Sequence, residues 1–224
     1  MRGEENKPPV IAIDGPSASG KGTVAQQVAR ELGFHYLDSG SLYRLVALAA
    51  QKRGVALHNE TALAELAQNL PVEFQGDEVL MDGVRVTDEI RSEICAAGAS
   101  RVAAFAKVRQ ALLQRQRSFR KPPGLVAEGR DMSSTVFPDA RLKVFLTASA
   151  EARAERRYKQ LSEKGMYANI SALLQEIKDR DARDSGRTVA PLRQDPGAGL
   201  LDTTALSIEE AVAEVIARYR ALVS

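Results

Sequence analysis

The amino-acid sequence predicts an α/β fold in which a five-stranded parallel sheet is flanked by helices. Three observations support this prediction. Five short apolar runs recur along the chain, and most of them are followed by a helical pattern, as in folds that alternate strands and helices. A glycine-rich segment separates the first run from the first helical pattern. Residues 71–86 alternate apolar and polar side chains instead, which predicts a small antiparallel sheet inserted as a lobe.

The predicted strands are short, branched and apolar, as is typical of strands buried on both faces of a parallel sheet. They span residues 10–13, 34–37, 125–127, 142–146 and 200–201. A helix is predicted from Lys21 to Leu32, because Val24 and Val28 recur on the face that carries Leu32. Gly33 supplies the C-terminal stop signal of this helix.

The alternating segment carries a turn signal, because Asp82-Gly83 is a strong hairpin dipeptide. A helix from about residue 60 to 69 precedes the lobe, and helical segments from 87 to 120 follow it. Near the C-terminus, Ser207 and Glu210 have capping-box spacing before a last amphipathic helix that ends near Val223.

These elements predict the following organisation. Residues 1–9 form a flexible tail, residues 10–37 and 111–224 form the core, and residues 38–110 form an inserted region that contains the β lobe at about 71–86. No internal repeat is visible.

Composition excludes several classes of protein. The 224 residues are 44% hydrophobic and 27% charged, which is typical of globular chains and argues against collagen and wholesale disorder. The 31 Lys and Arg nearly balance the 29 Asp and Glu, so no nucleic-acid partner is expected. The single cysteine, Cys95, cannot form an internal disulfide, and no apolar run reaches the length of about 18 residues that a membrane span needs. We therefore expect a soluble, cytoplasmic monomer without a membrane partner.

The glycine-rich segment has the spacing of a phosphate-binding P-loop, in which four residues separate two glycines and a lysine follows: Gly15, Gly20 and Lys21. Such a loop directs backbone N–H groups inward, and the next helix adds its positive N-terminal end. The flanking strand and helix make an ordinary glycine turn the weaker interpretation. Gly22 occupies the usual Ser/Thr position, and Thr23 follows it. We expect ATP to bind at Gly15, Ser17, Ala18, Ser19, Gly20, Lys21, Gly22 and Thr23.

Four further groups of residues suit a second, phosphate-bearing substrate. The first follows the second strand directly, where ligands of open α/β sheets bind. The groups are Asp38–Arg44, Ser100 with Arg109, Glu128–Asp131 and Arg180–Arg187. A chain that only binds ATP has no need of so many additional arginines.

The sequence resembles the bacterial cytidylate kinases. Four motifs occur in the order and approximate spacing of that family: GPSASGKGT, DSGSLYR, EGRD followed by FPDA, and RDARDSGR. The resemblance covers the chain from about Val10 to the final helix. It implies a P-loop kinase core and transfer of a phosphoryl group from ATP to CMP or dCMP, with Mg²⁺. Arginines at helical spacing after the fourth strand suggest in addition a helical lid at about 153–187. The β lobe would belong to the monophosphate-binding region.

Carried over residue by residue, the resemblance implies three groups of substrate contacts. The acceptor phosphate would be held by Arg44, Arg130 and Arg180, with Ser39 nearby. The cytosine edge would be held by Ser100, Arg109 and Asp131. The ribose would be held by Asp184, beside Arg180 and Arg187. Tyr43 would either touch substrate or pack the helix start. Lys21, Arg130, Arg180 and Arg157 are the expected catalytic residues.

The chemistry of the base agrees with this assignment. A carboxylate accepts a hydrogen bond from the N4 amino group of cytosine. Uracil presents an acceptor there, and an unpaired buried carboxylate costs about 1 to 3 kcal/mol or more. CMP should therefore be preferred over UMP.

The chain departs from the family pattern in two places. Ser133-Ser134-Thr135 stand where the family pattern has Gly-Thr-Val, and Glu128 stands where many relatives have Asp. We expect no direct metal ligand from the protein, with Thr23 and Glu128 as outer-shell partners of Mg²⁺.

We expect direct, in-line transfer without a covalent intermediate. A phosphate monoester has its second pKa near about 6, so the attacking oxygen is already ionised and needs no general base. His35 and His58 are accordingly expected to be structural. Arg153, Arg156 and Arg157 recur at helical spacing after the fourth strand and suit either a closing lid or an ordinary solvated helix surface.

Two other functions are weighed against this one. The first is another small P-loop kinase, acting on AMP, UMP, shikimate or a coenzyme precursor; the inserted lobe and RDARDSGR argue against it. The second is a nucleotide-dependent switch, which would hydrolyse ATP slowly and would not need the additional arginines.

Overall fold

The structure is a computed structural model that describes residues 7–75, 78–163 and 165–223. The chain divides into two compact units: a first unit of Met1–Leu37 with Phe119–Ser224, and a second unit of Asp38–Ser118. Most of the predicted tail, residues 1–6, lies outside the described residues. Within the described ranges no helix is long and apolar enough to cross a membrane.

The strands are β1 (Val10–Asp14), β2 (His35–Asp38), β3 (Val72–Gln75), β4 (Glu78–Met81), β5 (Val84–Arg85), β6 (Leu125–Gly129), β7 (Leu142–Thr147) and β8 (Gly199–Asp202). The helices are α1 (Lys21–Leu32), α2 (Ser39–Lys52), α3 (Glu60–Gln68), α4 (Thr87–Ile90), α5 (Glu93–Val102), α6 (Ala106–Arg117), α7 (Ala150–Glu163), α8 (Ile170–Ser185) and α9 (Ile208–Val223). A short π-helical turn spans Met132–Val136.

The first unit contains the predicted five-stranded sheet, in the order β2-β6-β1-β7-β8. β1 pairs in parallel with β6 and β7, and β7 pairs in parallel with β8. Four of the five strands cover their predicted apolar runs, whereas β2 begins at His35, one residue later than predicted. β1 and β6 extend further than predicted, into polar residues, because Asp14 pairs with Gly129 at the carboxyl end of the two strands. This edge of the sheet carries the candidate site.

Helices α1 and α9 bury the apolar residues of this sheet. The core contains Ile11, Ile13, Val144 and Leu146 of the strands, together with Val24, Val28, Val212 and Val215 of the two helices. Each such buried side chain contributes about 1.5 to 3 kcal/mol relative to exposure. Both predicted helix boundaries are confirmed: Gly33 closes α1 with φ 66°, and Ser207 and Glu210 exchange capping-box hydrogen bonds at 2.8 and 3.1 Å.

The second unit combines helices α2 to α6 with the predicted β lobe, a three-stranded sheet in the order β3-β4-β5. Its pairs are antiparallel. Asp82 and Gly83 join β4 to β5 with φ values of 52° and 74°, as a two-residue hairpin turn of type I′ requires. The hairpin prediction is therefore confirmed. Helix α6 packs against α3 within this unit, which extends to Ser118.

Candidate active site

The loop between β1 and α1, residues 15–20, has the backbone that its glycines predict. Gly15 lies so close to β7 that a Cβ atom there would be 2.0 Å from the carbonyl oxygen of Leu146, so glycine is required. Gly20 has a φ of 87° and caps α1, where its carbonyl accepts from the N–H of Val24 at 3.0 Å. Ala18 also has a positive φ, 56°. Successive turns of this kind form a concave array of N–H groups that suits an anion.

Lys21 is the first residue of α1, and its side chain lies against the loop. Its Nζ donates to the carbonyl oxygen of Pro16 at 3.1 Å and is 3.6 Å from Oε2 of Glu128. Both side chains are buried. Glu128 also lies beside the start of α1, since its Oε1 is 3.4 Å from the position of a Cβ at Gly22. Thr23 is exposed. The ammonium group is thereby held at the mouth of the loop by two oxygen partners.

Two serine hydroxyls of the loop are buried and make no hydrogen bond with the residues that the structure describes. Ser17 is 8% exposed and Ser19 is 1% exposed. Within the described part of the chain, neither Oγ has a hydrogen-bond partner. Buried polar groups are nearly always satisfied. A bound molecule with several acceptor oxygens, such as a polyphosphate, would supply the missing partners.

Two arginines of α7 bind the carbonyl side of the same loop. Arg153 donates from Nη1 to the carbonyl oxygen of Ser17 at 3.2 Å, and Arg156 donates from Nη1 to that of Ser19 at 3.3 Å. A trans peptide points its N–H away from its C=O. Anchoring these two carbonyls therefore directs the next N–H groups, those of Ala18 and Gly20, to the other side of the loop.

Both arginines are anchored in turn. Arg153 is 5% exposed and donates to both carboxylate oxygens of Asp181 in α8. Arg156 donates to the carbonyl oxygen of Thr203, which follows β8. The solvated-surface interpretation is thus wrong for Arg153 and Arg156. Helical spacing identified their positions, but not their partners, which lie far away in the sequence.

The EGRD and RDARDSGR motifs meet through one carboxylate. Arg130 donates from Nε to Oδ2 of Asp184 at 3.0 Å, across 54 residues of sequence, and Arg187 donates from Nη2 to Oδ1 at 2.5 Å. Burial raises the pKa of Asp184, but the charges of Arg130 and Arg187, with a further contribution from Arg180, outweigh burial and hold the pKa below its ordinary value. The site therefore concentrates three guanidinium groups around one ionised carboxylate.

A second buried carboxylate, Asp14, was not singled out by the sequence analysis. It ends β1 immediately before Gly15, and its Oδ1 accepts from the N–H of Met132 at 2.8 Å. Its Oδ2 accepts from the N–H and the hydroxyl of Ser133 at 2.8 and 2.5 Å. Burial raises the pKa of Asp14, and the charge of neighbouring Asp131 raises it further. The hydrogen bonds from Ser133 and Met132 lower the pKa, but burial outweighs them, so the pKa of Asp14 lies above its ordinary value. The signal in the sequence was a carboxylate at the end of an otherwise apolar strand.

Five of the predicted substrate residues lie in the second unit. Ser39 begins α2 and is buried, and Ser100 is half-buried in α5. Arg44 donates to the carbonyl oxygen of Ile90 at 3.0 Å. The guanidinium of Arg109 lies 5.6 Å from the centre of the buried Tyr43 ring, and it donates to the carbonyl oxygen of Ala103 at 3.1 Å. Tyr43 and Arg109 are therefore brought together by a cation–π contact.

Other singled-out residues have local roles. Asp38 caps α2, because its carboxylate accepts from the N–H of Ser41 at 3.1 Å. The His35 ring nitrogen lies 2.9 Å from the carbonyl oxygen of Pro122. Cys95 is buried. Arg157 is half-buried in α7.

Comparison with known proteins gives one consistent result. The sequence model of the family described as cytidylate kinase matches residues 11–221. The cytidylate kinase of Chromobacterium violaceum is 62% identical over 208 residues, which cover 93% of this chain and 94% of that protein. The cytidylate kinase of Burkholderia ambifaria is 58% identical over 214 residues, which cover 96% of this chain and 94% of that protein.

A likeness to a solved structure supports the fold alone. The crystal structure of an uncharacterized protein from Eubacterium ventriosum superposes with a TM-score of 0.56 at 11% identity, and the match covers 96% of this chain and 99% of that one.

Proposed function

The chain belongs to the cytidylate kinase family, and from this premise we propose that it transfers the γ-phosphoryl group of ATP to the phosphate of CMP or dCMP. It is an ATP-dependent nucleoside-monophosphate kinase. The observation that carries the proposal is that one compact unit holds both the Lys21 loop and the cluster of Arg130, Arg187 and Asp184. A donor phosphate and an acceptor phosphate each have a cationic group there.

The loop suits the donor. Its N–H groups and the N-terminus of α1 would hold the β- and γ-phosphates, Lys21 would neutralise them, and the hydroxyls of Ser17 and Ser19 would gain the partners that they lack within the described residues. Arg153 and Arg156 would keep the N–H groups directed at the nucleotide.

The arginine cluster suits the acceptor. Two protein bonds, from Nε to Asp184 and from Nη1 to the carbonyl of Gly129, fix the plane of the Arg130 guanidinium. Arginine has five donors in a planar fork, so a fixed plane presents a defined pair to phosphate oxygens. Asp184 accepts from both Arg130 and Arg187, so it offsets their mutual repulsion and keeps the two guanidinium groups together where an acceptor phosphate would meet them. The assignments of Ser39, Arg44, Ser100 and Arg109 remain predictions from the family resemblance.

Magnesium enters as part of the donor substrate, MgATP. No group of three or more His, Cys, Asp or Glu that could hold a metal occurs among the residues that the structure describes. Mg²⁺ commonly keeps several waters and binds through substrate phosphates with one or two carboxylates. Glu128, buried beside Lys21 and Gly22, fits an outer-shell position, whereas the exposed Thr23 is a weaker candidate.

The reaction needs positioning and charge neutralisation rather than proton transfer. The acceptor oxygen of a monophosphate is already ionised at neutral pH. Attack on the γ-phosphorus forms the new P–O bond as the bond to the β-phosphate oxygen breaks, and ADP leaves with its electron pair. The region of about 153–187, which includes Arg157, would act as a lid that excludes water as a competing acceptor.

We also propose that the enzyme works as a monomer in the cytoplasm, in keeping with its single, unpaired and buried cysteine.

One experiment tests the proposal. ADP release is measured in a coupled assay with ATP and each of CMP, dCMP, UMP, AMP and shikimate, with Lys21→Met as a control for contaminating kinases. We expect the fastest turnover with CMP or dCMP. A best activity on any other acceptor would overturn the substrate assignment. ADP release that does not depend on an acceptor would instead favour a nucleotide-dependent switch.

A further inference from the structure

A two-residue segment, Arg130-Asp131, is held on both sides by the residues that begin the phosphate loop. On one side, Gly129 pairs with Asp14 in the parallel ladder, and its carbonyl accepts from the N–H of Gly15 at 3.3 Å. On the other side, the N–H of Met132 donates to Oδ1 of Asp14 at 2.8 Å. The segment cannot move along the strand direction without breaking one of these bonds.

The carboxylate of Asp14 is the central group of this arrangement. It is 1% exposed and accepts three hydrogen bonds, two from backbone N–H groups and one from the hydroxyl of Ser133 at 2.5 Å. Removing one of these donors would leave part of a buried carboxyl group unsatisfied, because water cannot replace the donor there. Only the bond from Ser133 Oγ depends on the identity of a side chain, and this residue stands where the family resemblance expects glycine.

We propose that Asp14 is a positioning residue, which through Ser133 fixes Arg130 and Asp131 relative to the phosphate loop and so sets both the rate of transfer and the preference for cytosine. This proposal rests on the proposed function. Asp14 does not touch the substrate. It acts because its backbone leads directly into Gly15 while its side chain holds Met132 and Ser133, so one residue links the donor loop to the acceptor segment.

A purely structural role makes a different prediction. If Asp14 merely satisfied the end of a buried strand, weakening its contacts would lower stability without changing which nucleotide is preferred. If it positions Asp131, the carboxylate that meets the cytosine amino group becomes less well placed, and discrimination between CMP and UMP declines. The ratio of kcat/KM for CMP to that for UMP therefore separates the two roles.

The test compares two serine-to-alanine variants in the same turn. Ser133→Ala removes the buried hydroxyl, and Ser134→Ala, its matched control, removes an exposed hydroxyl that lies 3.4 Å from that of Thr135. Initial rates are measured with CMP and UMP well below the melting temperature of each variant. We expect Ser133→Ala to lower kcat/KM for CMP about five- to tenfold, as the loss of one buried hydrogen bond implies, and to change KM for ATP less than about twofold.

Selectivity for CMP over UMP should fall in Ser133→Ala and stay unchanged in Ser134→Ala. Asp14→Asn should have a larger effect, and in the double variant Asp14→Asn/Ser133→Ala the losses should not add, since both substitutions break the same contact. If Asp14→Asn fails to fold, the serine pair still decides.

Equal selectivity in the two serine variants would overturn the positioning role and leave the kinase function standing. A wild-type protein that does not phosphorylate CMP would overturn the proposed function itself, and the positioning role with it.

Discussion

The guanidinium of Arg153 donates to both carboxylate oxygens of Asp181, at 3.1 and 2.6 Å, and so joins α7 to α8 across 28 residues of sequence. The same guanidinium donates to the carbonyl oxygen of Ser17. The buried side chain of Arg153 thus connects helices α7 and α8 with the phosphate loop. Lysine cannot reproduce this arrangement, because it lacks the planar fork of donors.

Arg153→Lys should therefore weaken nucleotide binding more than it affects the acceptor. We expect KM for ATP to rise about tenfold, the effect of losing one charged hydrogen bond, while KM for CMP changes little. Initial rates with each substrate varied in turn measure this. Arg218→Lys is the matched control, since Arg218 also joins a carboxylate, Glu214, to a backbone carbonyl, that of Leu200. Equal changes in the two KM values would contradict the loop-positioning role.

Lys21→Met should abolish most of the transfer. The ammonium group lies against the loop, where the proposed function places the transferring phosphate. Removing one preorganised electrostatic donor typically lowers kcat by about 10²- to 10³-fold. The measurement is kcat for ADP release with saturating CMP. Lys143→Met serves as control. Lys143 lies in β7, forms an ion pair with Asp195 and has no assigned role in transfer. A kcat within about threefold of wild type would exclude Lys21 from the reaction.

Asp184 should make the free energy of unfolding decrease as the pH falls in the acidic range. Its folded-state pKa lies below the ordinary value of about 3.9, so its contribution to the free energy of unfolding is complete above that value and is lost as the pH falls through the folded pKa. Asp184→Asn lacks this contribution. The melting temperature of wild type should exceed that of Asp184→Asn at neutral pH, and the difference should narrow below about pH 4.

Thermal unfolding followed by circular dichroism, between neutral pH and about pH 2.5, measures how the difference in melting temperature between wild type and Asp184→Asn changes with pH. Asp179→Asn is the control. The Asp179 carboxylate accepts a hydrogen bond from the Gln175 side-chain amide on the exposed part of the same helix. A difference between wild type and Asp184→Asn that stays constant with pH would mean that the carboxylate does not stabilise the fold through its charge.

Arg157→Ala should lower kcat far more than it weakens CMP binding, if the lid arginine neutralises charge that develops in the transition state. We expect a loss of about 10²-fold or more in kcat. Equilibrium titration with CMP and steady-state kinetics separate the two effects. Arg183→Ala, an exposed arginine of α8, is the control. An unchanged kcat would exclude this residue from the lid function.

The sequence pattern predicted the elements of the fold closely, because their signals are local. Apolar runs identified all five strands of the sheet, Asp82-Gly83 identified the hairpin, and Gly33 and Ser207 identified helix boundaries. The phosphate loop was equally visible, since its glycines and Lys21 are consecutive or nearly so in the sequence.

The contacts that hold the site together were less visible. Arg153 and Asp181 are 28 residues apart, and Asp14 and Ser133 are 119 apart. Neither pair has a spacing that a helix or strand period would select. A buried charge also carries no compositional signal that distinguishes it from a solvated one, so the roles of Arg153, Arg156 and Asp14 emerged only from their surroundings.

The left-handed backbone of Ala18 has an implication for engineering. A φ of 56° costs an alanine energy that glycine would not incur, and strain of this kind persists only where the surroundings enforce it. Arg153 holds the peptide that precedes Ala18, through the carbonyl oxygen of Ser17, and Arg156 holds the carbonyl oxygen of Ser19, the next residue. Mutational scanning should accordingly find position 18 tolerant of glycine and asparagine and intolerant of β-branched side chains, a restriction that the small size of alanine would not by itself suggest.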